Sequence, residues 1–148
     1  MAVKPIPDGF HTITPYIMVR DASKFIDFLK KAFDASEVSR TDTPDGKIMH
    51  GEVKIGDSMI MLTEASEKYP AANSYYYLYV PDTDASYRKA LDAGATSEME
   101  PADQFYGDRS AGVKDPFGIT WWIGTHIENV SPEELKKREE EYMKKQKV

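Results

Sequence analysis

The chain has 148 residues, no cysteine and a formal net charge of −6 at pH 7. This length suits one domain, or two half-domains that share a core, and the lack of cysteine excludes disulfides, thiolate nucleophiles and cysteine metal sites. With no basic stretch before the lysines of the tail, the acidic balance predicts no nucleic-acid partner. No segment has the roughly 20 apolar residues of a membrane span and no secretion signal is recognisable, which predicts a cytoplasmic protein without a membrane partner.

One stretch of the sequence is repeated. Tyr16 to Asp21 reads YIMVRD and Tyr77 to Asp82 reads YLYVPD, and the two stretches lie 61 positions apart, the difference between 21 and 82. Each is followed by a helical run, a polar turn, a strand, a tight turn and a closing apolar strand. Because there are only two copies of this supersecondary unit, the repeat indicates a closed pair rather than a solenoid.

Residues 9–66 form the first predicted unit, with the order β-α-β-β-β. Ile13 to Val19 is mostly apolar and predicts a strand, and Asp21 then offers an N-cap oxygen. Apolar residues recur at helical spacing from Phe25 to Phe33, which predicts an amphipathic helix lying on the sheet. Turns rich in Gly, Asp and Pro separate the other strands. These strands are predicted at Glu37–Arg40, Lys47–Ile55 and Met59–Thr63.

Residues 71–126 form the second predicted unit and repeat this order. Tyr75 to Val80 predicts its first strand, and the helix from about Asp82 to Ala93 precedes Gly94, which can end it as a left-handed cap. A loop is expected at Asp103–Asp108. The remaining strands are predicted at Ser97–Glu100, Ser110–Lys114 and Ile119–Gly124.

A C-terminal helix is predicted over residues 131–146. Ser131 supplies an N-cap hydroxyl, Pro132 occupies the first helical position and Glu134 the third, which together form a capping box. Few large apolar residues follow. We therefore expect a solvated or subunit-contacting appendage rather than part of the core.

The chain resembles the vicinal oxygen chelate superfamily, which holds glyoxalase I, extradiol dioxygenases, fosfomycin resistance enzymes and bleomycin-binding proteins. The resemblance rests on the duplicated unit, the turn Asp115–Gly118 and the loop Ala102–Arg109. The opening Pro5–Tyr16 and the closing Thr125–Glu134 resemble its PhnB-like branch. The resemblance implies an α+β fold, the glyoxalase/bleomycin resistance fold, in which two curled mixed sheets surround a cavity. It also implies a homodimer.

The resemblance further implies where a metal would bind. Metal-dependent members place four His or Glu ligands on the first and last strands of the two units, which map here to Thr14, Met61, Tyr75 and Trp122. A hydroxyl, a thioether, a neutral phenol and an indole are poor ligands for a divalent ion that prefers imidazole or carboxylate. The sequence therefore predicts no metal site and no cofactor, and it puts the metal-dependent activities of the family in doubt.

His50 and Glu52 are the remaining candidates for chemistry. They are two residues apart on a predicted strand and so project from the same face. They could act as a catalytic acid/base pair or as two ligands of a non-standard metal site, although a catalytic zinc normally needs three protein ligands. Equally, they could be a polar pair with ordinary partners.

The same alternation predicts the lining of the cavity. The lining would be rich in aromatic and thioether groups, which suits a flat or cationic organic molecule held by stacking and cation–π attraction. The alternative is that these side chains fill a closed interior and bind nothing. The predicted cavity-facing residues are Thr14, Tyr16, Met18, Met59, Met61, Tyr75, Tyr77, Tyr79 and Trp122.

The loop between the later strands of the second unit adds Gln104, Tyr106 and Arg109 as candidate ligand-binding residues, since loops often carry function. Arg109 could clamp a carboxylate or phosphate, or it could form a structural ion pair with a neighbouring aspartate. Both interpretations stay open.

These observations favour a metal-free protein that binds a small aromatic or cationic, antibiotic-like ligand. The alternative is an isomerase or lyase of the same superfamily that uses His50 and Glu52. Whether the protein is an enzyme stays open, and a third hypothesis is a structural dimer whose tail helix contacts a partner.

Overall fold

The computed structural model describes residues 2–146, which form two four-stranded sheets and three helices. The first unit contains strand β1 (Tyr16–Val19), helix α1 (Ala22–Phe33) and strands β2 (Ser36–Asp42), β3 (Ile48–Ile55) and β4 (Ser58–Glu64). The second contains β5 (Ser74–Tyr79), α2 (Thr83–Asp92), β6 (Thr96–Asp103), β7 (Asp108–Lys114) and β8 (Ile119–His126). Helix α3 (Pro132–Gln146) follows. The predicted order of two β-α-β-β-β units and a C-terminal helix is confirmed.

Each unit builds a mixed sheet with the same topology. The strand orders are β1-β4-β3-β2 and β5-β8-β7-β6, and the first strand of each unit runs parallel to the last while the other pairs are antiparallel. Tyr16 lies opposite Met61 in the first sheet, and Tyr77 lies opposite Trp122 in the second. Both positions of the second pair lie 61 residues after those of the first, so the sequence repeat is also a repeat of register.

The start of each helix is held by the end of its closing strand. Glu64 Oε1 accepts a hydrogen bond of 3.1 Å from the Ala22 amide, and Thr125 Oγ1 accepts one of 3.0 Å from the Thr83 amide. The two acceptors, Glu64 and Thr125, are again 61 positions apart, and so are the two amides. Because the first amides of a helix lack intrahelical partners, each of these side chains caps its helix. The predicted N-cap oxygen of Asp21 makes no capping bond.

The first strand is shorter than predicted. It begins at Tyr16, and Ile13, which the apolar pattern predicts within the strand, is 87% exposed. Pro15 accounts for the late start of the strand, because it has no amide hydrogen to donate to a strand ladder. Its carbonyl still accepts a hydrogen bond of 2.9 Å from the Met61 amide. The Thr14 hydroxyl instead donates to the His11 carbonyl at 3.2 Å. The prediction that Ile13 and Thr14 belong to the strand is wrong.

Helix α1 joins the two units. Its buried side chains pack on its own sheet and also reach the second unit, where the Phe33 ring lies 5.2 Å from Trp121 and the Phe25 ring lies 5.3 Å from Phe117. Helices α1 and α2 contact each other as well. The helix-covered faces of both sheets therefore share one core.

The opposite faces of the two sheets are left uncovered within one chain. Tyr75, Tyr77 and Tyr79 project from β5 with 71%, 40% and 68% exposure, and Tyr16 is 45% exposed. The two sheets are separate ladders that do not close on each other. The hypothesis that these aromatic side chains fill a closed interior is therefore wrong for the single chain. We call the uncovered surface of the first sheet, which carries Tyr16, the first open face. The uncovered surface of the second sheet, which carries Tyr75, Tyr77 and Tyr79, is the second open face.

The turn at Asp115–Gly118 is anchored inside the core. The Asp115 carboxylate is 5% exposed and accepts hydrogen bonds from the Trp121 indole at 2.8 Å and from the amides of Phe117 and Ile119 at 2.8 and 3.0 Å. This side chain thus connects the turn to the tryptophan that contacts α1. Within residues 2–146, no helix is long and apolar enough to cross a membrane.

Asp115→Ala should lower the free energy of unfolding by about 3 kcal/mol, because it leaves the buried Trp121 N–H and two turn amides without their acceptor. Urea unfolding followed by fluorescence measures this loss. The control is Asp57→Ala in the exposed turn of the first unit, which should change the free energy by less than about 0.5 kcal/mol. Equal effects of the two substitutions would contradict the anchoring role of Asp115.

Candidate functional site

The first open face brings His50 and Glu52 together with Tyr16. His50 Nε2 lies 3.1 Å from Glu52 Oε2, and the Tyr16 hydroxyl lies 3.5 Å from His50 Nδ1. The Ser39 hydroxyl donates to Glu52 Oε1 at 3.0 Å. The predicted same-face pair is thus hydrogen-bonded in the structure, and Ser39 is a partner that sequence reasoning missed because it comes from the neighbouring strand.

A pocket of about 420 Å³ opens on the same side of the first sheet. On this sheet Met61 is half-buried and pairs with Tyr16 of the neighbouring strand, and Met59 is buried. A ligand here would meet mainly thioether, phenol and hydroxyl groups. The residues that line the pocket are Tyr16, Met18, Met49, Thr63 and Tyr69.

The second open face is organised around a buried carboxylate. Asp108 is 3% exposed, and its Oδ2 accepts hydrogen bonds of 2.9 Å from both the Tyr77 and Tyr79 hydroxyls. Its Oδ1 lies 3.0 Å from His126 Nδ1, and His126 Nε2 lies 2.8 Å from Asn129 Oδ1. A carboxylate can only accept hydrogen bonds, so Tyr77, Tyr79 and His126 all donate to it. We call Asp108, Tyr77, Tyr79 and His126 the Asp108 cluster.

Glycines allow the rings of this face to lie close to the sheet. A Cβ added at Gly124 would collide with the Tyr77 ring and hydroxyl, and one added at Gly112 would collide with the six-membered ring of Trp122. The Tyr77 and Tyr79 rings are 5.0 Å apart with an interplanar angle of 45°. The result is an aromatic surface on which the backbone below sets the positions of Tyr77 and Trp122, and Asp108 sets those of Tyr77 and Tyr79.

The hydrogen bonds of the cluster decide its charge. Burial acts to raise the pKa of Asp108, but the bonds from His126, Tyr77 and Tyr79 outweigh burial and hold that pKa below its usual range. Burial, the bond to Asp108 and the nearby Tyr106 hydroxyl together raise the pKa of Tyr77 far above its ordinary value. The bond to Asp108 likewise raises the pKa of His126. At neutral pH the cluster therefore contains an ionised carboxylate and neutral phenols.

Arg109 is held on the helix side of the second sheet, away from this aromatic surface. Its Nε and Nη2 donate to the two carboxylate oxygens of Asp84 in α2 at 2.6 and 2.9 Å, and its Nη1 donates to Asp103 at 3.1 Å. The ion-pair interpretation describes these contacts, with Asp84 as a partner that the sequence did not suggest. Tyr106 is 39% exposed beside Tyr77, and the Gln104 amide lies 3.5 Å from the Ala102 carbonyl.

The family model of the Glyoxalase/Bleomycin resistance protein/Dioxygenase superfamily matches residues 9–123. The chain belongs to this superfamily. An uncharacterized protein of Mycobacterium bovis is 36% identical to it over 134 residues, which cover 83% of this chain and 88% of that relative.

Two solved structures share the superfamily fold with this chain. TioX from Micromonospora sp. ML1 is 21% identical, with a TM-score of 0.65, and the match covers 78% of this chain and 99% of TioX. A PhnB protein from Bacillus cereus is 16% identical, with a TM-score of 0.61, and the match covers 78% of this chain and 99% of that protein.

The positions that would carry a superfamily metal do not fit one in this chain. Met61 and Trp122 have Tyr16 and Tyr77 as their cross-strand neighbours, and Thr14 lies before the first strand. Thioether, indole and neutral phenol are unsuitable for a hard divalent ion. Across residues 2–146 there is also no group of three or more His, Asp or Glu side chains placed to hold a metal. We derive no metal-dependent step.

Sequence reasoning missed the centre of the second open face. The turn residues predict Asp108 in a loop, whereas β6 extends to Asp103 and β7 begins at Asp108, which leaves a short hairpin connection. The alternation of side chains along a strand could have placed Asp108 on the same face as Gly112, which lies four residues later on β7. Its pairing with His126 depends on the register between β7 and β8, which the sequence does not specify.

The imidazole of His126 should titrate with a midpoint above its ordinary value of about 6.5. Because its folded pKa is raised, the stability from the His126–Asp108 pair is present below the unfolded pKa and is lost as the pH rises through the folded one. NMR titration of the imidazole protons measures the midpoint. Asp108→Asn should lower it, whereas Asp57→Asn, a matched charge change on the first unit, should leave it unchanged. An unaltered midpoint in Asp108→Asn would refute the pairing.

Proposed function

We propose that this protein is a metal-free small-molecule binding protein of the bleomycin-resistance type that takes flat aromatic or cationic organic ligands on its second open face. The observation that carries the proposal is the aromatic surface of the exposed Tyr75, Tyr77 and Tyr79 and the half-buried Trp122. Asp108 and the glycine backbone fix the positions of all these rings except that of Tyr75. Exposed apolar patches of this kind on a single chain mark interaction sites.

The chemistry of the surface favours such ligands. Aromatic side chains attract flat rings by offset stacking and attract cations through the negative faces of their π systems. The net charge of −6 favours the approach of a cation as well. Because the superfamily's metal positions hold unsuitable side chains, the proposal includes no metal and no cofactor.

We further propose that two copies associate as a homodimer and thereby cover the open faces. A single chain leaves both faces uncovered, although a small-molecule site usually buries most of its ligand. Assignment to the PhnB-like branch is also part of the proposal. Its support is the opening and closing sequence motifs together with the structural likeness to the PhnB protein of Bacillus cereus.

Two naphthyl compounds, 2-naphthylmethanol and 2-naphthylmethylammonium, should reveal the binding surface. At least one should bind with a Kd of about 1 mM or tighter, as expected for a fragment of this size. Trp122→Ala should weaken that binding about tenfold or more, because it removes the largest ring of the face. Titration calorimetry measures the affinities.

The control for this experiment is Tyr142→Ala, which removes an exposed aromatic ring from α3 and should leave the affinity unchanged. A chelator or excess divalent metal should change neither the affinity nor the melting temperature. The proposal is wrong if neither compound binds, or if the chelator abolishes binding.

A second candidate is an isomerase or lyase in which His50 and Glu52 transfer a proton. The observation that favours it is the 3.1 Å contact between His50 Nε2 and Glu52 Oε2 beside the exposed Tyr16. An imidazole and a carboxylate at this distance can relay a proton in general acid–base catalysis.

Replacement of both residues by alanine should abolish any turnover of 2-oxoaldehyde or 2-oxoacid adducts, with retained binding of the naphthyl compounds on the second open face. Product formation is followed by absorbance. Wild-type protein that turns over none of these substrates would remove the support for this second candidate.

A further inference from the structure

The hydroxyl groups of Tyr77 and Tyr79 both point at one carboxylate oxygen. Each lies 2.9 Å from Asp108 Oδ2. A phenol has a single proton to donate, and an ionised carboxylate can only accept. Each phenolic oxygen therefore uses its proton on Asp108 and has only lone pairs left for a ligand.

The environment keeps those protons in place. Burial and the hydrogen bond to Asp108 raise the pKa of Tyr77, and the same carboxylate raises the pKa of Tyr79. Both phenols stay neutral near pH 7, and their orientation is fixed by Asp108. The second open face thus presents two hydrogen-bond acceptors at the edge of an aromatic surface.

We propose that the Asp108 cluster makes this face selective for organic cations that carry N–H donors beside a flat ring, such as primary ammonium or amidinium compounds. The inference rests on the proposed function, because it presupposes that the face binds a small molecule. Stacking holds the ring, while the N–H groups donate to the phenolic oxygens. Hydrogen bonds that involve a charged group are the stronger kind.

Two side chains that could otherwise attract an anion, His126 and Arg138, are already engaged by other acceptors. Both nitrogens of His126 are engaged, one by Asp108 and the other by Asn129. Arg138 donates to both carboxylate oxygens of Glu128 and to Glu134. A ligand carboxylate at the two phenols would consequently meet lone pairs that cannot donate to it, while the N–H groups of His126 are already used by Asp108 and Asn129.

Four probes with the same naphthalene ring separate charge from hydrogen bonding. They are 2-naphthylmethylammonium, its N,N,N-trimethyl derivative, 2-naphthylmethanol and 2-naphthoate. The primary ammonium should bind about tenfold tighter than the alcohol and than the trimethyl compound, which keeps the charge but has no N–H donor. The carboxylate should bind most weakly. Titration calorimetry on wild-type protein measures all four affinities.

Tyr79→Phe provides the matched variant. Tyr79 is 68% exposed, and the substitution keeps its ring while removing one acceptor oxygen. The preference for the primary ammonium over the trimethyl compound should fall severalfold. Tyr142→Phe removes an exposed tyrosine hydroxyl from α3, outside the proposed binding surface, and should keep the preference. The melting temperature confirms that each variant is folded.

The outcomes distinguish this inference from the function on which it rests. If the alcohol or the trimethyl compound binds as tightly as the primary ammonium, the face binds small molecules but the selectivity for N–H donors is refuted. An unchanged preference in Tyr79→Phe also refutes it. If none of the four probes binds to wild-type protein, both the proposed function and the selectivity are refuted.

Discussion

The contact between α1 and the aromatic core of the second unit determines the rest of the architecture. Phe33 packs on Trp121, and the Asp115 carboxylate accepts a hydrogen bond from the indole N–H. Each sheet can bury only one face against a helix, and this contact joins the helix-covered faces in a shared core. The opposite faces are therefore turned away from it, and they carry both the His50–Glu52 pair and the Asp108 cluster.

On those two faces, the same scaffold carries different chemistry. The first has a histidine and a glutamate in contact beside a tyrosine, whereas the second has an aspartate that collects donors from three side chains. Both arrangements satisfy a carboxylate in partly apolar surroundings, where an ion without partners would be costly. The difference lies in exposure, since Glu52 remains accessible while Asp108 lies beneath its tyrosines and acts through them.

The fold was largely predictable because its signals are local. Alternating apolar residues, turn residues and the 61-residue repeat indicated the order of elements, and the same-face pairing of His50 and Glu52 followed from strand geometry alone. The apolar pattern predicts Ile13 and Thr14 in the first strand, but Pro15 has no amide hydrogen and the strand begins at Tyr16. The Asp108 cluster was not predictable in this way, because its partners are separated by 18 to 31 residues and meet only through strand register. Cross-strand pairing of this kind depends on tertiary structure.

The alternation of each strand between a helix-covered face and an open face has a consequence for how such a protein can evolve. Substitutions among exposed residues cost little folding stability, whereas those in the core are costly. Tyr75, which makes no hydrogen bond to Asp108, can therefore change without loss of the packing that holds α1 to Trp121. A new ligand preference can arise in one copy of the unit while the other copy, and the fold itself, keep their sequence.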